Sequence, residues 1–168
     1  LGGDDRARSA AVQADGRIIV AGSSNTAGTP DLAVLRYNTD GTLDAGFGAA
    51  GVVITDLGGT ADLVASVQVQ ADGKIVAAGR NNAGNIVVVR HNANGTLDAG
   101  FGTAGVVITN LGASEFSEAV AVQTDGKIVV AGYQEVGAVD NDIALVRYNA
   151  DGTLDAGFGT AGAVITDL

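Results

Sequence analysis

The hexapeptide Leu-Asp-Ala-Gly-Phe-Gly occurs at 43–48, 97–102 and 154–159, so successive copies start 54 and 57 residues apart. The residues around it recur at the same interval. A period of this length marks a solenoid, a propeller or an array, in which each unit buries its apolar face only by stacking on a neighbour. Aligned on the hexapeptide, the copies use up the chain as 1–56, 57–110 and 111–168, with Leu168 opening a further copy. One repeat domain of three units is therefore expected.

Each copy reads as four short apolar runs separated by turn residues. The first alternates, as in Ser66-Val67-Gln68-Val69-Gln70, the period-two pattern of a half-buried strand. Asp-Gly follows at Asp15-Gly16, Asp72-Gly73 and Asp125-Gly126, a strong hairpin signal because Gly tolerates the positive φ of such turns. The second run (17–22, 74–79, 127–132) is continuously apolar and β-branched, as for a strand buried on both faces. The third (32–38, 86–92, 143–149) closes on Arg-Tyr-Asn or Arg-His-Asn. A second turn, the hexapeptide and a fourth run (52–55, 106–109, 163–166) complete the unit. No window carries a sustained helical stripe, and 26 glycines would break most helices. The fold class is all-β. On repeat count alone, a propeller segment of three four-stranded blades competes with a β-trefoil or β-prism of pseudo-threefold symmetry.

Several function classes lose support at once. The net charge of −10 argues against nucleic acid, whose phosphates call for clustered Lys and Arg. The absence of Cys removes disulfides, thiolate metal sites and a Cys nucleophile. No apolar stretch approaches 18 residues, so no membrane span is expected. The chain has no Met and opens on Leu1, which points to a partial segment of a longer protein.

Charge position is more telling than charge total. Ten acids and six bases hold repeat-locked slots in turns and strand ends, while nine acids and three bases lie in segments that differ between copies. The variable segments are the acidic part.

The strings QTDGKIVVAG and ALVRYNADGTLDAGFGTAG in the third copy, with their counterparts in the others, resemble the bacterial delta-60 repeat, a β-propeller group without a general assigned function. The first half is more distantly similar to NHL-type propeller blades. The resemblance implies blades radiating from a central axis, with the four runs ordered from the inside out. Both Asp-Gly-type connections then fall on one face. The variable connections (23–31, 80–85, 133–142, and the stretches after Leu1, Leu57 and Leu111) fall on the other. The resemblance also implies an exported bacterial protein, extracellular or at the cell surface.

Binding residues usually sit in loops on a rigid scaffold. The longest and most divergent loop, 133–142, makes Tyr133, Glu135, Asp140, Asn141 and Asp142 the candidate partner-binding residues. An acidic surface of this kind calls for a cationic or protein partner. A structural or interaction module is the leading reading. A carbohydrate-binding module, calcium-assisted or not, comes second, although only Phe116 and Tyr133 are aromatics outside the repeat. A hydrolase comes third, on the carboxylates Asp140 with Asp142 or Glu115 with Glu118. Neither a catalytic centre nor a cofactor is expected.

No metal site is expected either. The Asn38, Asp40, Thr42, Asp44 spacing invites a calcium reading, but its Gly falls too early for an EF-type loop, and the middle copy keeps only Asp98 as an acid. These side chains are better suited to bonding their own backbone. His91, the one histidine, occupies the slot of Tyr37 and Tyr148 and is expected to pack as a flat ring. Phe47, Phe101 and Phe158 share a slot expected to wedge between blades. Gly46-Phe47-Gly48 has no helix after it and fails as a phosphate cradle. Three blades make an open arc, so closure is expected either by a homodimer forming a six-bladed ring or by neighbouring repeats of the parent chain.

Overall fold

The computed structural model describes residues 3–25, 28–58, 61–137 and 140–168. Among them are twelve strands and no helix. The strands are β1 (Asp5–Val12), β2 (Ile18–Ser24), β3 (Asp31–Tyr37), β4 (Val52–Thr55), β5 (Leu63–Val69), β6 (Ile75–Arg80), β7 (Ile86–His91), β8 (Val106–Thr109), β9 (Ser114–Val122), β10 (Ile128–Glu135), β11 (Asn141–Tyr148) and β12 (Ala163–Thr166). They form three four-stranded antiparallel sheets, each a simple meander in chain order.

The first strands β1, β5 and β9 neighbour one another, which places them innermost, at the axis. One apolar core lies between the first and second sheets and another between the second and third. Among the described residues, no such core joins the third sheet back to the first. Trefoil and prism symmetry would require one. The sheets are three consecutive propeller blades in an open arc.

Local chemistry explains the blade. Gln13 N–H donates to Arg17 O and Gly16 N–H to Gln13 O, a three-residue hairpin loop that needs a left-handed residue before the second strand. Gly16, at φ 83°, provides it. A second glycine requirement lies at the axis. Each innermost strand carries a bulge, at Arg8, Ala65 and Glu118, which presses it onto the second strand. A Cβ at Gly22, Gly79 or Gly132 would run into the carbonyl of Arg6, Leu63 or Phe116, so only Gly fits there.

The middle blade is buried on both sides, and β7 is buried along its whole length. The end blades are not. Ile18 and Val20 of the first blade, and Val129 and Leu145 of the third, are half-buried where their counterparts in the second are fully covered.

Candidate functional site

The recurring polar residues build one assembly three times. Arg90, on β7, donates from Nε to Asp98 Oδ2 at 2.7 Å, and its guanidinium lies 4.4 Å over the Phe101 ring. Lys74 Nζ reaches the same carboxylate oxygen at 3.1 Å, while Asp98 Oδ1 accepts the Gly100 N–H. The first blade repeats this with Arg36, Asp44, Phe47 and Arg17, and the third with Arg147, Asp155, Phe158 and Lys127.

The assembly is a clasp between blades. Arg36 Nη1 donates to Ala93 O at 2.5 Å and Gly48 N–H to Asn94 O at 2.9 Å, both in the following blade's turn. Arg90 and Gly102 make the same bonds to Ala150 O and Asp151 O. The Asp44 carboxyl is held below its ordinary range, first by the Gly46 N–H and then by the two arginines. For Asp98, burial pushes upward, but Lys74, the Gly100 N–H and Arg90 together pull the carboxyl down. Phe47 and Phe101 are fully buried between blades, as expected, whereas Phe158, on which no further blade packs among the described residues, is only half-buried. These carboxylates have their partners already and leave no free group for chemistry.

The Asn-x-Asp-Gly-Thr turns are likewise bonded to themselves. Asp40 Oδ1 accepts from Thr42 N–H and Oγ1–H, and Asn38 Nδ2 donates to Thr42 Oγ1 and Leu43 O. The hydroxyl and amide of Thr42 hold the Asp40 carboxyl below its usual range. This is the local backbone bonding that such residues favour in turns.

The opposite face collects the residues that do not repeat. Phe116 on β9 and Tyr133 on β10 stack at 4.6 Å with their planes 5° apart, and the Arg80 guanidinium sits 4.1 Å over Phe116. Arg80, Phe116 and Tyr133 form a column at the axial mouth. Two adjoining grooves of about 330 Å³ each run beside it. Arg8 and Glu118 line one, Ser114 and Glu135 the other.

The candidate residues are thus divided. Tyr133 is in the column and Glu135 lines a groove, while Asp140 and Asp142 meet Asp167, their carboxylate oxygens within 4.8 Å of one another. Asn141 is exposed and pairs with Glu135. The expected ten-residue loop needs correction. β10 and β11 stay paired out to Glu135 and Asn141, leaving a short turn closed by Val136 N–H to Asp140 O, so four of the five candidates lie on strands. Residues 138–139 of that loop lie outside the described residues. The acid pair Glu115 and Glu118 is put to different uses. Glu115 is fully buried and accepts the Leu111 and Ala113 N–H groups, whereas Glu118 is exposed on the bulge.

Arg80 and Arg8 are not among the residues singled out from the sequence. Their signal was available, since they are two of the three bases outside the repeat, as Phe116 and Tyr133 are the aromatics outside it.

A second acidic group lies in the first seam, where Asp31, Asp56 and Asp62 bring carboxylate oxygens within 4.8 Å of one another. Oxygen ligands suit a hard cation, but three carboxylates supply only part of the six to eight oxygens calcium takes. Burial raises the Asp31 carboxyl above its ordinary value, with Asp56 adding to it. Asp62 is raised by burial against the pull of the Leu57 N–H, with Asp31 and Asp56 repelling it. The second seam holds Asn85, Asn110 and Glu115 in these slots. A carboxyl raised in the fold favours the native state when protonated, and that advantage is lost as pH rises through its folded pKa. Asp31→Asn is therefore expected to stabilise the chain at pH 7 and to gain nothing below pH ~3.5. Chemical unfolding at the two pH values checks this.

A family model described as a domain of unknown function (DUF5122), beta-propeller, matches residues 13–47, 70–101 and 123–158. Each stretch covers the hairpin loop, the two middle strands and the clasp up to its Phe, and together they span well over half the chain. No curated protein matches the chain.

Proposed function

The chain belongs to the DUF5122 β-propeller family, a domain of unknown function, and we propose that it serves as a non-enzymatic interaction module of an exported bacterial protein, engaging a cationic partner through its variable face. The observation that carries this reading is how the polar residues are divided. Those that repeat are consumed by the clasps and turns. Those that do not repeat gather on one face, where Glu135 is exposed beside a groove and Asp140 is exposed with Asp142 and Asp167 close to it. Placement outside the cell rests on the repeat's resemblance alone, and among the described residues no helix is long and apolar enough to cross a membrane.

The carbohydrate reading is weaker on the same geometry. Phe116 is covered by Arg80 on one face and Tyr133 on the other, so it offers no free ring face to a sugar. A Lys/Arg-rich peptide array, followed by amide-shift mapping of a bound peptide, tests the proposal. Binding is expected to shift resonances around Tyr133, Glu135 and Asp140. It should also weaken as salt is raised, since the Debye length is about 8 Å at physiological ionic strength. Shifts confined to the turns at 13–17 and 38–42 would overturn the reading. Glycan-array capture without peptide binding would favour the carbohydrate module.

A further inference from the structure

We propose that Asp31, Asp56 and Asp62 form a calcium site in the seam between the first and second blades. Both walls of this seam belong to the chain. Asp31 opens β3 and Asp56 follows β4 in the first blade, while Asp62 precedes β5 in the second. The Asp62 N–H donates to Pro30 O at 2.7 Å, so the backbone sets Asp62 beside Asp31. One oxygen from each carboxylate lies within 4.8 Å of the other two. Calcium ligands sit about 2.3–2.6 Å from the ion, so two of them stand up to about 5 Å apart and all three oxygens can share one ion.

Acids often crowd together without an ion, and what points to one here is how these side chains are left. Asp31 is 8% exposed, yet among the described residues its carboxylate accepts no hydrogen bond and faces no base. Asp62 is 2% exposed; its Oδ2 takes the Leu57 N–H, but its Oδ1 is buried with no partner. Buried charges are ordinarily paired with a base or bound to a metal. The buried acids of the clasps follow that rule, since Asp44, Asp98 and Asp155 each meet two bases. The seam acids meet none, and an orphaned oxygen of this kind calls for an ion or a water.

The fold does not demand the crowding. In the second seam the corresponding slots hold Asn85, Asn110 and Glu115, where Glu115 accepts the Leu111 N–H as Asp62 accepts that of Leu57. One carboxylate per seam therefore serves the backbone, and the first seam carries two more. A divalent cation offsets their mutual repulsion and takes the orphaned oxygen as a ligand. Asp56 is exposed and gives the ion a way in, with water filling the remaining positions. Bound there, the ion ties the crossing segment between the blades to the start of β3.

Calcium titration of the full chain, first stripped with chelator, decides the matter by calorimetry and by melting temperature. One ion per chain is expected, with a dissociation constant of about 10⁻⁴ M. Calcium at about 10 mM should then raise the melting temperature by about 5 °C. Asp31→Asn and Asp56→Asn install residues that the second seam already carries in these slots, so both are expected to fold. Each should weaken calcium binding by at least about 10-fold, because affinity follows ligand charge. In chelator, Asp31→Asn should melt above the wild type, since the repulsion is relieved; in calcium that lead should vanish or reverse. Asp4→Asn makes the same charge change at an exposed position and should leave the affinity unaltered. Absence of calcium binding, affinity untouched by both seam substitutions, or a lead of Asp31→Asn that is equal with and without calcium would overturn the proposal. So would affinity lost on Asp167→Asn instead, which would place the ion on the other acidic trio, Asp140, Asp142 and Asp167.

Discussion

Asp98→Ala is expected to destabilise the chain by about 3 kcal/mol, the scale seen when one partner of a buried ion pair is removed. The Arg90 side chain is only 7% exposed and its Nε points at the lost carboxylate, so the substitution leaves a buried cation facing a gap. The remaining contacts, Ala150 O and the Phe101 ring, do not replace a charged acceptor. Lys74 and the Gly100 N–H lose the same partner. The third clasp is the internal control. Arg147 is 23% exposed and has no following blade within the chain, so water compensates it in part. Asp155→Ala should therefore cost less than half as much in the single chain. Urea unfolding of both variants measures the difference. Equal losses would mean that the clasp acts within its blade and not across the seam.

His91→Tyr is expected to remove most of the acid sensitivity between pH 6.5 and 4. Burial pushes the His91 imidazole down to about 4 from 6.5. A lowered histidine binds its proton more readily when unfolded, so native stability falls as pH drops below 6.5 and levels off below 4. The full difference is about 3 kcal/mol at pH 4, since a tenfold change in proton affinity is worth about 1.36 kcal/mol. A phenol carries no proton to gain in this window. Tyr148 shows that the slot accepts one, with its hydroxyl bonded to Thr109 and its pKa raised by burial to about 12. His91 Nδ1 is buried without a partner, a cost the substitution also removes. Stability against pH for both proteins is the measurement. Parallel curves would place the imidazole in water and refute its burial.

Much of this architecture is legible in the residues. The four runs, the Asp-Gly loops and the ordering of strands within a blade follow from a period of two and from glycines at positive φ, both properties of neighbours in the chain. The flat-ring role of His91 was readable because two tyrosines share its slot. The length of the 133–142 loop was not. Gln134 and Asp142 look like loop residues, yet they face each other as a rung of the hairpin, and nothing local distinguishes a polar strand end from a polar turn.

The repeat and the blade are written in the order of the residues, because strand period, turn conformation and apolar patterning act over a few residues. The tertiary structure alone decided what the blades do to one another. It set Arg36 on a carbonyl of residue 93, stacked Arg80 on Phe116, and crowded Asp31, Asp56 and Asp62 into one seam. These contacts join residues of different strands or repeats. Their partners are often backbone carbonyls, which carry no residue identity and so leave no trace in the pattern of side chains.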